Sequence, residues 1–258
     1  MLTPIPTLVV TVAWKPLLLM GALALSLGVG LTLFLETRGE AEAPRASASR
    51  LTNFEAGNFS GVDGRSSTGG RIAVTGDHAY RGRRAARAST RGTEGFQRVW
   101  YDVRWNKGTD VWYGAAYFVP GKLPCWTMLA RWDNYRSFGQ GGDTGGVEVE
   151  NGFARLVRGN YDGSNYQRLS ENFSLPRRRW FWLEVHQRLN DEDGSALNEV
   201  YVDGRRVGSS TKANSRGRQV ENIRYGYSAL RAQCSGSSTI YFDDVSISSR
   251  VRGSRAQR

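Results

Sequence analysis

From Leu51 onward the chain never sustains an apolar stripe of helical period. Short runs rich in Val, Tyr, Trp and Phe alternate with clusters of Gly, Asn, Asp and Ser. Runs of that length with a period of two bury one face as strands and none as helices, so the pattern predicts an antiparallel all-β sandwich. Strands are expected in "RAARAS", "FQRVWYDV", "DVWYGAAYFV", "WTMLARWD", "GVEVEN", "FARLVRG", "WFWLEVHQRL", "NEVYVDG", "RRVGSS", "IRYGYSAL" and "STIYFDDVSIS". Asp203-Gly204 in "VYVDGRRV" and Asn151-Gly152 in "VENGF" mark two-residue hairpins. With 258 residues, 40% apolar and 11% aromatic, the chain can bury a substantial core.

The N-terminus has a different texture. Leu17 to Leu35 carries no charge, and as a helix it would span about 28 Å against a hydrocarbon core of about 30 Å. Lys15 precedes the run, whereas Glu36, Glu40 and Glu42 follow it, which keeps the N-terminus cytoplasmic. The expected organisation is a cytoplasmic stub and signal-anchor helix over 1–36, a flexible linker over 37–50, a β domain over 51–249 and a basic tail over 250–258. That makes a single-pass protein of the cell membrane with its domain outside. The "ASA" at Ala46 to Ala48 leaves open a cleaved signal and a secreted product. In an oxidising compartment Cys125 and Cys234, the two cysteines of the chain, are expected to form a disulfide; two separate buried thiols are the alternative.

Thirty-five Lys and Arg against 24 Asp and Glu give a net charge of +11, and the excess is mostly Arg. Guanidinium forms planar, bidentate contacts with carboxylate, sulfate and phosphate, so an acidic partner is expected. No helix-turn-helix pattern, zinc spacing or stacking motif accompanies the charge, and a nucleic-acid partner is not expected.

The segments "NFEAGNFSG" at the start of the domain and "IYFDDVSIS" at its end resemble the first and last strands of carbohydrate-active jelly rolls. Between them "TGDHAYRGRRAARAS", "VWYGAAYFVP", "RRRWFWLEVHQRL", "EVYVDGRRV" and "IRYGYSAL" follow in the order seen in polysaccharide lyases of the heparin-lyase and alginate-lyase type. The resemblance implies a two-sheet jelly roll whose concave sheet faces a uronate polymer. It also implies a site built from an Arg, a Gln-x-His and a Lys-x-Gly-x-Tyr on three strands. Those residue types neutralise the uronate carboxylate, take the proton beside it and protonate the leaving oxygen. Here the Arg falls on Arg98. The Gln and His positions hold Arg131 and Asp133, the Lys position holds Arg224, and the Tyr position holds Ser228.

The resemblance therefore carries over the charge of a glycan cleft without its proton-transfer pair. Arg98, Arg131, Asp133 and Arg224 are the expected substrate-binding residues, and an acidic, uronate-containing polysaccharide is the expected partner. If catalysis persists, His186 in "WLEVHQRL" or a tyrosine such as Tyr135 must transfer the proton. The readings are a non-catalytic glycan-binding protein, an active lyase, and a structural envelope domain without ligand. Jelly-roll modules of this kind often share a structural calcium between first and last strands, which implies Glu55, Asp243 and Asp244 as ligands.

Overall fold

The computed structural model describes residues 50–91, 95–123, 126–134, 143–160, 165–217, 219–229 and 237–251. In chain order the strands are β1 (Arg50–Thr52), β2 (Gly64–Thr68), β3 (Gly70–Thr75), β4 (Ala85–Arg91) and β5 (Gly95–Trp105). There follow β6 (Thr109–Phe118), β7 (Trp126–Asp133), β8 (Asp143–Glu150), β9 (Phe153–Asn160) and β10 (Gln167–Arg168). The last are β11 (Trp180–Arg188), β12 (Leu197–Val202), β13 (Arg205–Ser210), β14 (Val220–Ala229) and β15 (Ser237–Val251). No helix occurs among the described residues.

The strands form two antiparallel sheets. One has the order β13-β12-β11-β6-β15-β4-β3, with β1 also on β15; the other runs β10-β9-β8-β7-β14-β5-β2. The expected all-β, two-sheet sandwich is what the described residues form. The last strand lies inside its sheet. Along one side β15 pairs with β6, and along the other with β4 as far as Phe242 and with β1 from Val245.

Alternation sorts the side chains. Val99 and Tyr101 of β5, Ala130 and Trp132 of β7, Val147 and Val149 of β8 and Ile223 and Tyr225 of β14 face inward. They meet Tyr113 and Tyr117 of β6, Phe181, Leu183 and Val185 of β11, and Ile240 and Phe242 of β15 in one core. Two of the core tyrosine hydroxyls find partners inside it, as buried polar groups generally do. Tyr113 donates to Gln187 Oε1 at 3.0 Å, and Tyr225 donates across the sandwich to the Ser246 carbonyl at 3.1 Å.

Both predicted hairpins close through left-handed pairs, Asp203 and Gly204 at φ 53° and 81° and Asn151 and Gly152 at φ 51° and 88°. These conformations match the twist of the flanking strands. Three boundaries are corrected. "NFEAGNFSG" is a turn rather than the first strand: Phe54 adopts φ 54° and drops its ring onto Phe242 and Phe59 at 5.6 and 5.7 Å. Arg50, expected in the linker, pairs with Ile247 in β1, and β15 continues to Val251 beyond the expected end at Ser249. The apolar run 17–35, the rest of the linker, Cys125 and Cys234 lie outside the described residues.

Asp243 interrupts β15. The register with β6 shifts between Asp243 and Ser246, and Asp244 takes φ 48°. The Asp243 carboxylate accepts the backbone N–H groups of Tyr80 and Arg81 at 3.2 and 3.5 Å, tying the 76–84 connection to the sheet. Burial, with Asp244 alongside, pushes its pKa from 3.8 up to about 6. A raised carboxyl pKa means the folded state holds the proton that the unfolded chain releases. The resulting stability is complete below about pH 3.8 and is lost as pH rises to about 6. Asp243→Asn should therefore gain on the wild type between pH 4 and 7 in denaturant titrations; a constant gap across that range would contradict the assignment.

Candidate functional site

Because Val99, Ala130, Trp132, Ile223 and Tyr225 face the core, their neighbours face away from it. Arg98 and Trp100 of β5, Asn222 and Arg224 of β14, Arg131 and Asp133 of β7 and Glu148 of β8 share the outer face of the seven-stranded sheet. Register sets them in rows. Trp100, Arg224, Arg131 and Gly146 stand opposite one another in turn, as do Asp102, Asn222, Asp133 and Thr144. The four predicted substrate-binding residues are thus brought together on adjacent strands.

Their electrostatics differ from those of an open anion cradle. Arg131 and Arg224 are direct cross-strand partners, a like-charged placement that repels unless a counter-ion intervenes. Asp133 supplies it. Its Oδ1 accepts Arg131 Nε at 2.7 Å, and its Oδ2 meets Arg224 Nε at 2.7 Å. Asn222 Oδ1 also accepts Arg224 Nε at 2.7 Å. Arg131 is 1% exposed and Asp133 2%. Burial alone would raise the Asp133 pKa, but the charges and hydrogen bonds of Arg131 and Arg224, with the Thr144 hydroxyl, outweigh it and hold the carboxyl below 3.8. A carboxylate so stabilised is a poor acceptor for a carbon-bound proton.

Beside this triad lies a groove of ≈ 350 Å³ lined by Ser66, Phe96, Arg98, Trp100, Asp102, Asn222 and Arg224. Arg98 lies over the Phe96 ring at 4.1 Å and donates from Nε to the Ser66 hydroxyl at 3.3 Å. Across the strand pair Trp100 covers Gly64, where a Cβ would stand 2.1 Å from the indole. The groove combines a guanidinium with two half-buried aromatic rings, a combination suited to a carboxylated sugar.

A second cluster on the same face was not anticipated. Arg155 of β9 donates from Nη2 to Glu148 Oε1 at 2.6 Å and to Glu150 Oε2, and from Nε to the Tyr166 hydroxyl at 2.8 Å. Tyr166 in turn donates to Glu148 Oε1 at 3.0 Å. The signal was present in the Asn151-Gly152 hairpin. A two-residue turn sets Glu150 opposite Phe153 and Glu148 opposite Arg155, as observed.

The other expected residues lie apart. His186 is on the outer face of the eight-stranded sheet, across the core from Arg131. There it stacks on Trp112 at 3.9 Å, with Nε2 2.8 Å from Asp110 and Nδ1 2.9 Å from Glu199. Both ring nitrogens are engaged, so it supplies no base to the arginine face. Tyr135 lies outside the described residues. Glu55 accepts the backbone N–H groups of Arg83 and Arg84, Asp243 those of Tyr80, Arg81 and Asp244, and Asp244 faces Arg81 at 3.7 Å. A calcium ion needs six to eight oxygens, and among the described residues no group of three or more His, Cys, Asp or Glu is placed for a metal.

No protein-family model and no curated protein matches the sequence. Solved structures do match the fold. A cellulose-induced protein aligns with a TM-score of 0.54 at 15% identity over 77% of this chain and 96% of its own. An alginate lyase from a Chlorella virus aligns with 0.52 at 14% identity over 79% and 100%. A mutant alginate lyase in complex with an alginate trisaccharide aligns with 0.52 at 11% identity over 78% and 97%. The fold is the alginate-lyase-type jelly roll. At such identities the likeness extends to the fold alone.

Removing Asp133 takes the shared carboxylate from two buried guanidiniums, which typically costs about 3–5 kcal/mol. Asp133→Ala should show that loss in urea denaturation, whereas exposed Asp77→Ala, whose pair with Arg87 is 3.5 Å long, should change stability by less than about 1 kcal/mol.

Proposed function

We propose that this domain binds an acidic, uronate-containing polysaccharide without cleaving it, with the Arg98–Trp100 groove as the point of contact. The observation that carries the reading is Asp133. It occupies the position where the resembling lyases hold their base, and it serves as the counter-ion of Arg131 and Arg224. Two arginines locked to one carboxylate retain the shape of the face, while Arg98 lines an accessible groove between Phe96 and Trp100. A sugar carboxylate would meet the Arg98 guanidinium, and a pyranose face would lie on the indole. Support from outside the chain is fold likeness, including to a mutant alginate lyase in complex with an alginate trisaccharide.

The apolar run 17–35 would hold the domain at the outer surface of the cell membrane, where extracellular polysaccharide is reached directly. Net charge of +11 would favour encounter with a polyanion and make binding sensitive to salt.

The test uses the purified chain and a panel of uronate polymers. Calorimetric affinity should weaken as salt rises, and Arg98→Ala should lower it about three- to tenfold. Ultraviolet absorbance of unsaturated sugar should stay flat, since each absent proton-transfer group forfeits a factor of about 10²–10⁴. A clear absorbance rise would establish elimination and sink the binding-only reading. Absence of salt-sensitive binding across the panel would leave a structural domain.

A further inference from the structure

Large apolar side chains exposed among the described residues include Phe153 at 51% and Tyr166 at 42%. Both belong to the outer face of the seven-stranded sheet, at the margin opposite the Arg98 groove. Phe153 stands opposite Glu150 in the β8–β9 hairpin, and its neighbour Ala154 faces the core. Tyr166 precedes β10, and its hydroxyl reaches the outward-facing Glu148 and Arg155.

The exposed tyrosine rests on a buried foundation. Glu148 is 0% exposed, and its Oε2 has no hydrogen-bond partner among the described residues, yet its Oε1 takes both Arg155 and the Tyr166 hydroxyl. Arg155 is itself buried, and its guanidinium carbon lies 5.8 Å from the Tyr166 ring centroid. Removing a carboxylate and a guanidinium from water is costly. Here the result is an exposed aromatic ring fixed by two hydrogen bonds to its hydroxyl. A ring held in advance loses little conformational entropy when something stacks on it.

We infer that Tyr166 and Phe153 form a second glycan-stacking subsite, so that a polysaccharide crosses the strands from the Arg98 groove on β5 to the β9–β10 margin. The inference rests on the binding function proposed above and specifies its reach. In sheet order β14, β7 and β8 separate β5 from β9, which at about 4.8 Å per strand places the two subsites about 19 Å apart. A chain advancing about 5 Å per sugar crosses that distance in about four steps and so needs about five residues to touch both. The chemistry of the ends differs. The groove offers a guanidinium to a carboxylate, whereas the margin sets aromatic faces beside Glu150 and an already neutralised Arg155, which suits the apolar face of any pyranose.

The experiment is calorimetric affinity for uronate oligosaccharides of two to eight sugars, using the full chain and the variants Tyr166→Ala, Phe153→Ala, Tyr166→Phe and Arg98→Ala. Wild-type affinity should rise steeply between about three and five sugars and then level off. Tyr166→Ala and Phe153→Ala should each remove about three- to tenfold from long oligosaccharides and nothing from disaccharides. Tyr166→Phe keeps the ring but frees it from Arg155 and Glu148, and should give an intermediate loss with long chains. Arg98→Ala should weaken every length. Binding that no longer depends on Tyr166 at any length would overturn the second subsite and leave the Arg98 groove intact. Failure of every oligosaccharide to bind would overturn both. A dimer that dissociates on Tyr166→Ala, with no effect of glycan length, would mark the patch as a contact between copies and overturn the subsite as well.

Discussion

Closure of the domain by its own last strand is the constraint on which the rest of the structure depends. β15 lies between β6 on one side and β4 with β1 on the other, so the eight-stranded sheet is split until residues 237–251 are in place. Pairings between the two ends of the domain carry a large closure entropy, and apolar burial must compensate it. Phe242 is where that happens: fully buried, it receives Phe54 from the start of the domain and packs beside Tyr117. The seven-stranded sheet joins the same assembly through the Tyr225 hydroxyl on the Ser246 carbonyl. The outer arginine face is therefore positioned by the packing on its inner side.

That outer face shows how a sheet tolerates charge out of water. Each buried guanidinium of the two clusters meets a carboxylate at hydrogen-bonding distance: Arg131 and Arg224 share Asp133, and Arg155 holds Glu148. Pairing in place halves the charge of the Arg131–Arg224 pair and offsets that of Arg155. Accessible groups of other kinds lie at the margins, where Arg98 is half-buried and the rings of Phe153 and Tyr166 are exposed. The same principle governs His186, whose two nitrogens are taken by carboxylates of neighbouring strands.

Local pattern made much of the fold legible. "WTMLARWD" and "RRVGSS" are strands over the residues quoted, and the Asp-Gly and Asn-Gly joints are the turns expected of them. Failures occurred where tertiary context overrides local texture. "GRSST" and "GRIAVT" form β2 and β3 although polar residues and glycines dilute their alternation, because β5 and β4 supply the partners. "NFEAGNF" resembles a first strand, yet by leaving the strand conformation it sets the Phe54 ring against both Phe242 and Phe59. At the site, two-residue spacing placed Arg131 with Asp133. Their mutual pairing, and the reach of Tyr166 back to Glu148, depend on side-chain paths between strands that spacing does not encode.

The shared carboxylate of Asp133 also bears on the history available to this sequence. An imidazole at 133 would, when neutral, remove the carboxylate that Arg131 and Arg224 share, and when protonated would add a third positive charge to the row. A neutral base at this position would disfavour the close pairing of arginines at 131 and 224. Contacting residues of this kind do not change independently. Exchange of the residue at 133 is therefore coupled to those at 131 and 224, three positions on two strands.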